Sequence, residues 1–299
     1  MAYFKEHPLD NSGGESAKVY EREQSVLCIY HSRDLDGWTS AAIVKDKYPN
    51  AELIPWDYGN TVPHFDTSNY DLIFLVDISF PTEHMQRLPM HTVWIDHHPS
   101  AIKDSQENRY DYLNGIRNTM YAACELTWEF LHDMDFMPDG VHLIGLYDSF
   151  RHKKKSLAIQ EMVMRFQYAA RANVANPIEA ARILTMDTQP WIVAGAHIFE
   201  YMKTEAKSIV KMAFKVRILG HKGMMVNAVR FNPANFEIAY DEDFFGCFHY
   251  TGSKWVVSLY SNEKVDCSVI CKKLGGGGHA GAAGFQRDTF DELGFIFYT

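Results

Sequence analysis

At 299 residues, with 46% apolar and 22% charged side chains, the chain is too long for one small domain and too apolar for general disorder. No apolar run approaches the roughly eighteen residues of a transmembrane helix, and the opening MAYFKEHPLDNSGGES lacks the basic-then-apolar pattern of a secretory leader. The net charge of -9, from 38 acidic and 29 basic residues, argues against a grip on long duplex DNA, whose affinity comes from neutralising many phosphates.

An acidic protein can still handle a small phosphorylated substrate if metal ions supply positive charge locally. Five cysteines (Cys28, Cys124, Cys247, Cys267, Cys271) are scattered without a CxxC pair. They read as reduced thiols in a cytoplasmic protein, with Cys267 and Cys271 as core residues on one helix face.

In chain order, residues 1–24 read as a loosely held arm. Apolar runs at Ser25–Tyr30, Ala51–Trp56, Asp71–Val76 and Thr92–Ile95 predict four strands, with a helix from about Thr39 to Tyr48 between the first two. Continuous apolar strands separated by helices imply an α/β unit, a parallel sheet covered by helices on both faces. The pattern turns helical from Thr119 to about Arg182, and Pro190 suits the first turn of a long linker helix, residues 189–213. Strands return at Lys215–Leu219, Met225–Arg230, Phe244–Tyr250 and Trp255–Tyr260, followed by a helix from Asp266 to Leu274 and a glycine run. The expected organisation is a catalytic unit over 25–188 and a smaller mixed α/β unit over 214–299.

Polar residues with metal-binding chemistry gather just past the apolar runs. Strand one leads into His31, Ser32, Arg33, Asp34, Leu35, Asp36 and Gly37; strand three ends in Asp77, and strand four in Asp96, His97 and His98. A later apolar stretch, VHLIGLY, ends in Asp148. Reading each of these as the carboxyl end of a strand places them all along one sheet edge, where such folds hold their ligands. So many carboxylates at one edge repel unless cations bind there, and mixed imidazole and carboxylate donors suit Mn, Mg, Zn, Co or Fe.

The segments HSRDLDG, VDIS, DHH and GLYDSF resemble the four successive motifs of the DHH phosphoesterase superfamily, and GGGGHAGAAGF resembles the glycine signature of the DHH-associated C-terminal domain. The superfamily includes RecJ-type nucleases, nanoRNases, cyclic dinucleotide phosphodiesterases, exopolyphosphatases and family II pyrophosphatases. The resemblance implies two divalent cations, Mn2+ first with Mg2+ or Co2+ as alternatives. His31, Asp34 and Asp77 would hold one, and Asp36, Asp77, His97 and Asp148 the other. It places Asp96 outside the ligand set as an orienting group, and His98 beside the phosphate.

The function implied is hydrolysis of phosphodiester bonds in short single-stranded oligonucleotides by a two-metal hydroxide mechanism. Cyclic dinucleotides, a nucleoside bisphosphate, polyphosphate or pyrophosphate are the alternative substrates, and a non-catalytic nucleotide sensor the rival role. Long duplex DNA and membranes are not expected partners; a homodimer is compatible with the sequence.

Glycines without Cβ atoms let backbone N–H groups approach a phosphate, so Gly276, Gly277, Gly278 and His279 read as a substrate-binding loop after the last helix. Two departures bear on the substrate. Relatives commonly carry an arginine where this chain has Tyr260, which could stack on a base instead, and the fourth motif is contracted to Asp148, Ser149, Phe150, Arg151. Arg33 and Arg117 are candidate phosphate contacts. The basic run Arg151–Lys155 reads as a solvated helix end or a backbone guide, and Tyr58 as a residue of the cleft or of loop packing.

Overall fold

The computed structural model describes residues 23–132, 136–229, 231–236, 238–261 and 264–298. All but the last two residues of the expected arm lie outside this range.

Strands β1 (Val26–His31), β2 (Glu52–Trp56), β3 (Leu72–Val76) and β4 (Thr92–Ile95) form an all-parallel sheet in the order β2-β1-β3-β4. Alternate residues of these strands enter two different cores, which is why their sequences read as unbroken apolar runs. Cys28, Tyr30, Phe74, Val76 and Ile95 pack under helices α1 (Leu35–Lys47), α4 (Ala123–His132), α5 (Asp139–Asp148) and α6 (Leu157–Asn173), with the short α7 (Pro177–Ala180) completing that layer. Leu27, Ile29, Ile73, Leu75 and Trp94 pack on the opposite face, under α2 (Thr82–Met85) and α3 (Pro99–Asn108).

The chain steps from β1 outward to β2, then returns to place β3 on the other side of β1. That reversal opens a crevice past the carboxyl ends of β1 and β3, the place where an open parallel sheet binds ligands. His31 ends β1, and Asp77 follows β3 with a φ of 59°, a left-handed conformation that few non-glycine residues adopt.

Two local features differ from the sequence expectation. Helix α1 starts at Leu35 rather than near Thr39, because Asp34 caps it by accepting a hydrogen bond from the Gly37 amide at 3.1 Å. The stretch VHLIGLY belongs to helix α5 and not to a strand, so Asp148 reaches the sheet edge as the last residue of a helix. Apolar runs of that length do not separate buried helix from buried strand by periodicity alone.

Helix α8 (Gln189–Val210) carries Pro190 in its first turn and joins the helical layer of the first sheet to the C-terminal region. Its first half packs along α6, with Ile192 in the core beneath it, while Ala206, Ile209 and Val210 enter a core of the C-terminal region with Val226 and Phe245. The C-terminal region is a mixed seven-stranded sheet built from β5 (Phe214–Ile218), β6 (His221–Asn227), β7 (Phe244–Tyr250), β8 (Trp255–Tyr260), β9 (Gly277–His279), β10 (Ala282–Arg287) and β11 (Ile296–Phe297), in the order β11-β5-β6-β7-β8-β10-β9. Strand β6 begins four residues before the expected Met225. The pair Leu219 and Gly220, with φ of 48° and 89°, makes a two-residue hairpin turn that pairs Ile218 directly with His221. Helix α9 (Cys267–Lys273) buries Cys267 and Cys271 as free thiols in a further core with Val257 and Phe285, their pKa pushed up to about 12 by burial. Among the described residues, no helix is long and apolar enough to cross a membrane.

Gly37 sits where α1 crosses the end of β1, and a Cβ there would lie 2.0 Å from the His31 carbonyl oxygen. That neighbour is backbone and cannot rotate away. Gly37→Ala is therefore expected to destabilise the protein by about 1–3 kcal/mol, read as a lower urea midpoint at unchanged slope.

Candidate metal centre

Each clustered side chain is aimed by the element that carries it. His31 directs Nδ1 at Asp34 Oδ2 (3.2 Å) and Asp77 Oδ2 (3.3 Å), while its Nε2 faces Asp57 Oδ1 at 3.4 Å. His97 directs Nε2 at Asp77 Oδ1 (3.3 Å), Asp148 Oδ2 (3.3 Å) and Asp36 Oδ2 (3.6 Å). The two oxygens of Asp77 thus face two separate groups of donors. Oδ1 of Asp77 is buried and lacks a hydrogen-bond partner, as expected of an atom placed for a cation. Donor atoms of His31, Asp34 and Asp77 lie within 4.8 Å of one another, as do those of Asp36, His97 and Asp148.

The fold fixes these ligands from outside. Asp36 accepts the amides of Ala123 (2.9 Å) and Cys124 (2.7 Å), so the start of α4 holds its carboxylate in place. Asp96, fully buried, uses Oδ1 to accept the amides of His97 (2.7 Å) and His98 (3.2 Å) and lies 2.8 Å from His98 Nδ1. A carboxylate on Nδ1 turns Nε2 of His98 outward. At the N-cap of α3, His98 also stands at a helix end that favours anions.

Electrostatics explain what this cluster requires. Burial, together with the neighbouring Asp77 and Asp148, pushes the Asp36 carboxyl well above its usual range. Burial also lifts Asp148, to about 6, with His97 opposing the shift and Asp34 and Asp77 adding to it. Burial alone would raise Asp77, but the neighbouring His31 and His97 imidazoles hold it well below the usual carboxylate range. Burial alone would lower His31 and His97, yet their aspartate neighbours raise both well above the ordinary imidazole value. Protons on the two imidazoles and on Asp36 and Asp148 relieve a repulsion that divalent cations would relieve better. The donor set of buried carboxylate oxygens and imidazole nitrogens fits such cations.

Asp57 escaped the sequence reading. It follows the end of β2 as Asp77 follows β3, and that position was the available signal. Its carboxylate against Nε2 fixes the ring that offers Nδ1 to the cluster, an arrangement common around metal-bound histidines. Arg33, expected to meet phosphate, has its Nε 2.7 Å from Asp57 Oδ2 instead. The Arg117 guanidinium donates to the carbonyls of Trp94, Asn114 and Asp111, which makes it a brace for the loop beneath Asp96 rather than a phosphate contact. In the basic run, Arg151 pairs with buried Glu125 and Lys153 donates to the Ala234 carbonyl at 2.7 Å, tying the two parts of the chain together. Trp56 is core, whereas Tyr58 is 41% exposed and stands over the cluster, its ring 6.2 Å from that of His31 and 6.4 Å from that of His98.

The glycine run differs from the open loop expected. The amides of Gly275 and Gly276 cap α9 by donating to Lys272 and Cys271, and Gly277–His279 form the edge strand β9, paired with β10. Gly278 has a φ of 133°, and a Cβ there would lie 2.7 Å from the Ala282 carbonyl oxygen, so the hairpin needs glycine at this position. The strand carries His279 onto the cluster, its ring 5.2 Å from both His97 and His98 and stacked on the latter. Burial, then the His98 and His97 rings, pushes the His279 pKa down to about 3. At neutral pH His279 is therefore a neutral imidazole. Tyr260, on β8, is partly buried beside Tyr240, Tyr147 and Arg171.

Residues 25–165, which hold all eight clustered Asp and His side chains, match the DHH family, N-terminal domain. This part of the chain is a DHH-family N-terminal domain. Whole-chain comparison with curated proteins finds no match. Among solved structures, an exopolyphosphatase-related protein from Bacteroides fragilis is 13% identical, with 91% of this chain and 89% of that one covered and a TM-score of 0.51, a likeness of fold. A pGpG-specific phosphodiesterase from Vibrio cholerae (12% identical, 90% and 95% covered, TM-score 0.42) and exonuclease RecJ bound to manganese (12%, 89% and 86%, TM-score 0.43) also match. The DHH match ends before the glycine signature, so the second sheet rests on its own geometry.

Loading this DHH centre requires His31, His97, Asp36 and Asp148 to give up protons. All four have folded-state pKa values raised above their ordinary ones, so cation binding releases protons and weakens as pH falls, through about 6 for Asp148 and already at higher pH for the two imidazoles. Calorimetric Mn2+ titrations should show affinity falling by about one decade per pH unit for each proton released. Asp57→Asn should weaken Mn2+ binding by about 10- to 100-fold with the fold intact.

Proposed function

We propose that this DHH protein hydrolyses phosphodiester bonds in short single-stranded oligonucleotides, with Mn2+ as the preferred cation pair. The observation that carries the reading is the divided Asp77 carboxylate, one oxygen toward His31 and Asp34, the other toward His97. His31, Asp34 and Asp77 would hold one cation, and Asp36, Asp77, His97 and Asp148 the other. The pair, when bound, supplies Lewis acidity for the phosphoryl group and a water activated near neutral pH.

The chain's own residues do the rest. His98, oriented through Nδ1 by Asp96, turns Nε2 toward the phosphate as a hydrogen-bond donor or as the proton source for the leaving oxygen. Neutral His279 offers a hydrogen bond from the opposite side without drawing the carboxylates toward itself. Tyr58 presents an exposed ring on which a base can stack. The closeness of His279 to the His97–His98 pair favours small substrates, since a duplex has no room between β9 and α3. The net negative charge points the same way.

With Mn2+, purified protein is expected to cleave di- and trinucleotides to a phosphomonoester and a free hydroxyl. A panel that adds cyclic dinucleotides, a nucleoside bisphosphate, pyrophosphate and polyphosphate separates the alternatives. Turnover of polyphosphate but of no nucleotide would overturn the proposal. Asp77→Ala should lower kcat by about 10³-fold or more, because both cations lose a shared ligand. A sensor would instead show nucleotide binding and no turnover in the unmodified protein.

A further inference from the structure

The two donor groups of the cation pair leave one all-histidine cluster unused. His97 and His98, past β4, and His279, on β9, each offer a ring nitrogen, and the three nitrogens lie within 4.8 Å of one another. The ring centres of His97 and His98 stand 4.6 Å apart, and that of His279 lies 5.2 Å from each. Two of these rings come from the edge of the first sheet and the third from the C-terminal sheet, so they close around a point between the two parts of the chain.

His97 has a nitrogen to spare. Its Nε2 faces Asp36, Asp77 and Asp148, whereas its Nδ1 is buried without a hydrogen-bond partner among the described residues. A histidine that serves a single cation gives its other nitrogen to a carboxylate, carbonyl or water, as His31 does with Asp57. His98 is already prepared as a ligand. Asp96 lies 2.8 Å from its Nδ1, the carboxylate–histidine pairing found behind zinc-bound imidazoles, and this turns Nε2 outward. Asp96 is also a charge that the pair does not need. Asp34, Asp36, Asp77 and Asp148 balance two divalent cations, which leaves buried Asp96, whose Oδ2 has no hydrogen-bond partner, facing a further positive charge beside His98.

Three imidazoles without a carboxylate among them suit Zn2+ ahead of Mn2+ or Mg2+, which prefer the oxygen-rich pair. Around a tetrahedral zinc the nitrogens stand about 3.3 Å apart, at most about 1.5 Å closer than these three. We propose that His97, His98 and His279 form a third, tri-imidazole cation site selective for Zn2+, and that its occupation switches the centre off. The two nitrogens of His97 let one ring serve both the pair and the third cation. Zinc held there takes up the His98 and His279 nitrogens that would otherwise meet the scissile phosphate, so zinc and substrate exclude each other. The cation site stands without the phosphodiesterase reading; the switch rests on it.

Elemental analysis after equilibrium dialysis counts the cations directly. With Zn2+ the wild type should hold one equivalent more than with Mn2+, and that extra equivalent should be lost in both His279→Gln and His98→Gln, neither of which touches a ligand of the pair. Loss of a direct ligand should weaken the extra zinc by at least the roughly 100-fold that removal of a ligand's outer partner can cost. His279→Cys, which puts a thiolate in place of the imidazole, should keep it. Equal zinc and manganese counts in wild type would overturn the site, as would an extra zinc that persists in both glutamine variants; these lie on different sheets, so one folded variant is enough to decide. The switch is read in wild type alone. Zn2+ added to Mn2+-loaded protein should raise KM for a dinucleotide and leave kcat unchanged. A fall in kcat at constant KM comes from metal exchange at the pair and overturns the switch. An extra zinc in a protein that cleaves no diester with Mn2+ sinks the phosphodiesterase reading and keeps the site; cleavage without the extra zinc does the reverse.

Discussion

Five aspartates and three histidines crowd one end of a parallel sheet, and that crowding is the constraint on which the rest of the structure depends. Two carboxylates about 4 Å apart repel by about 4 kcal/mol at the effective dielectric of a protein surface, and more as water is excluded. Asp36, Asp77 and Asp96 are each about 1% exposed or less, so solvent does little to relieve them. Something positive must enter. Protons can do it partially, which is why burial and like charge lift Asp36 and Asp148 while the same carboxylates lift His31 and His97. Divalent cations would do it more completely, and Asp77 divides its two oxygens between two donor sets.

The scaffold around the cluster follows from that demand. Each ligand has an outer partner that holds its orientation: Asp57 for His31, the Gly37 amide for Asp34, the α4 amides for Asp36. Asp96 does the same for His98. Behind α5, buried Glu125 gathers Arg151, His142 and the Ala122 amide, and a Cβ on Gly145 would collide with the Glu125 side chain. The close approach of α5 to α4 is what delivers Asp148 to the cluster. These groups sit outside the donor set, yet they decide whether the donors converge.

The sheet was legible in the sequence because buried parallel strands are short apolar runs closed by polar residues, and Thr92–Ile95 coincides with its expected bounds. The cluster was legible for a related reason, since local motifs after strands carry both ligand chemistry and position. Legibility ended where partners are distant in sequence. Asp57 acquires meaning only when β2 is laid beside β1, which sets its carboxylate on the His31 ring. The apolar run before Asp148 fits a strand or a helix equally, and only packing against α4 decides. The glycine run suggested a flexible phosphate cradle, but two of its amides cap α9 and the rest extend a sheet edge.

The last step concerns the division of labour between the two sheets. The catalytic side is saturated with negative charge and answers to cations, so a second positive group close to it would compete with the metals for the same oxygens. His279 avoids that conflict because burial beside two other imidazoles keeps it neutral, and β9 can bring it within ring contact of His98 without repulsion.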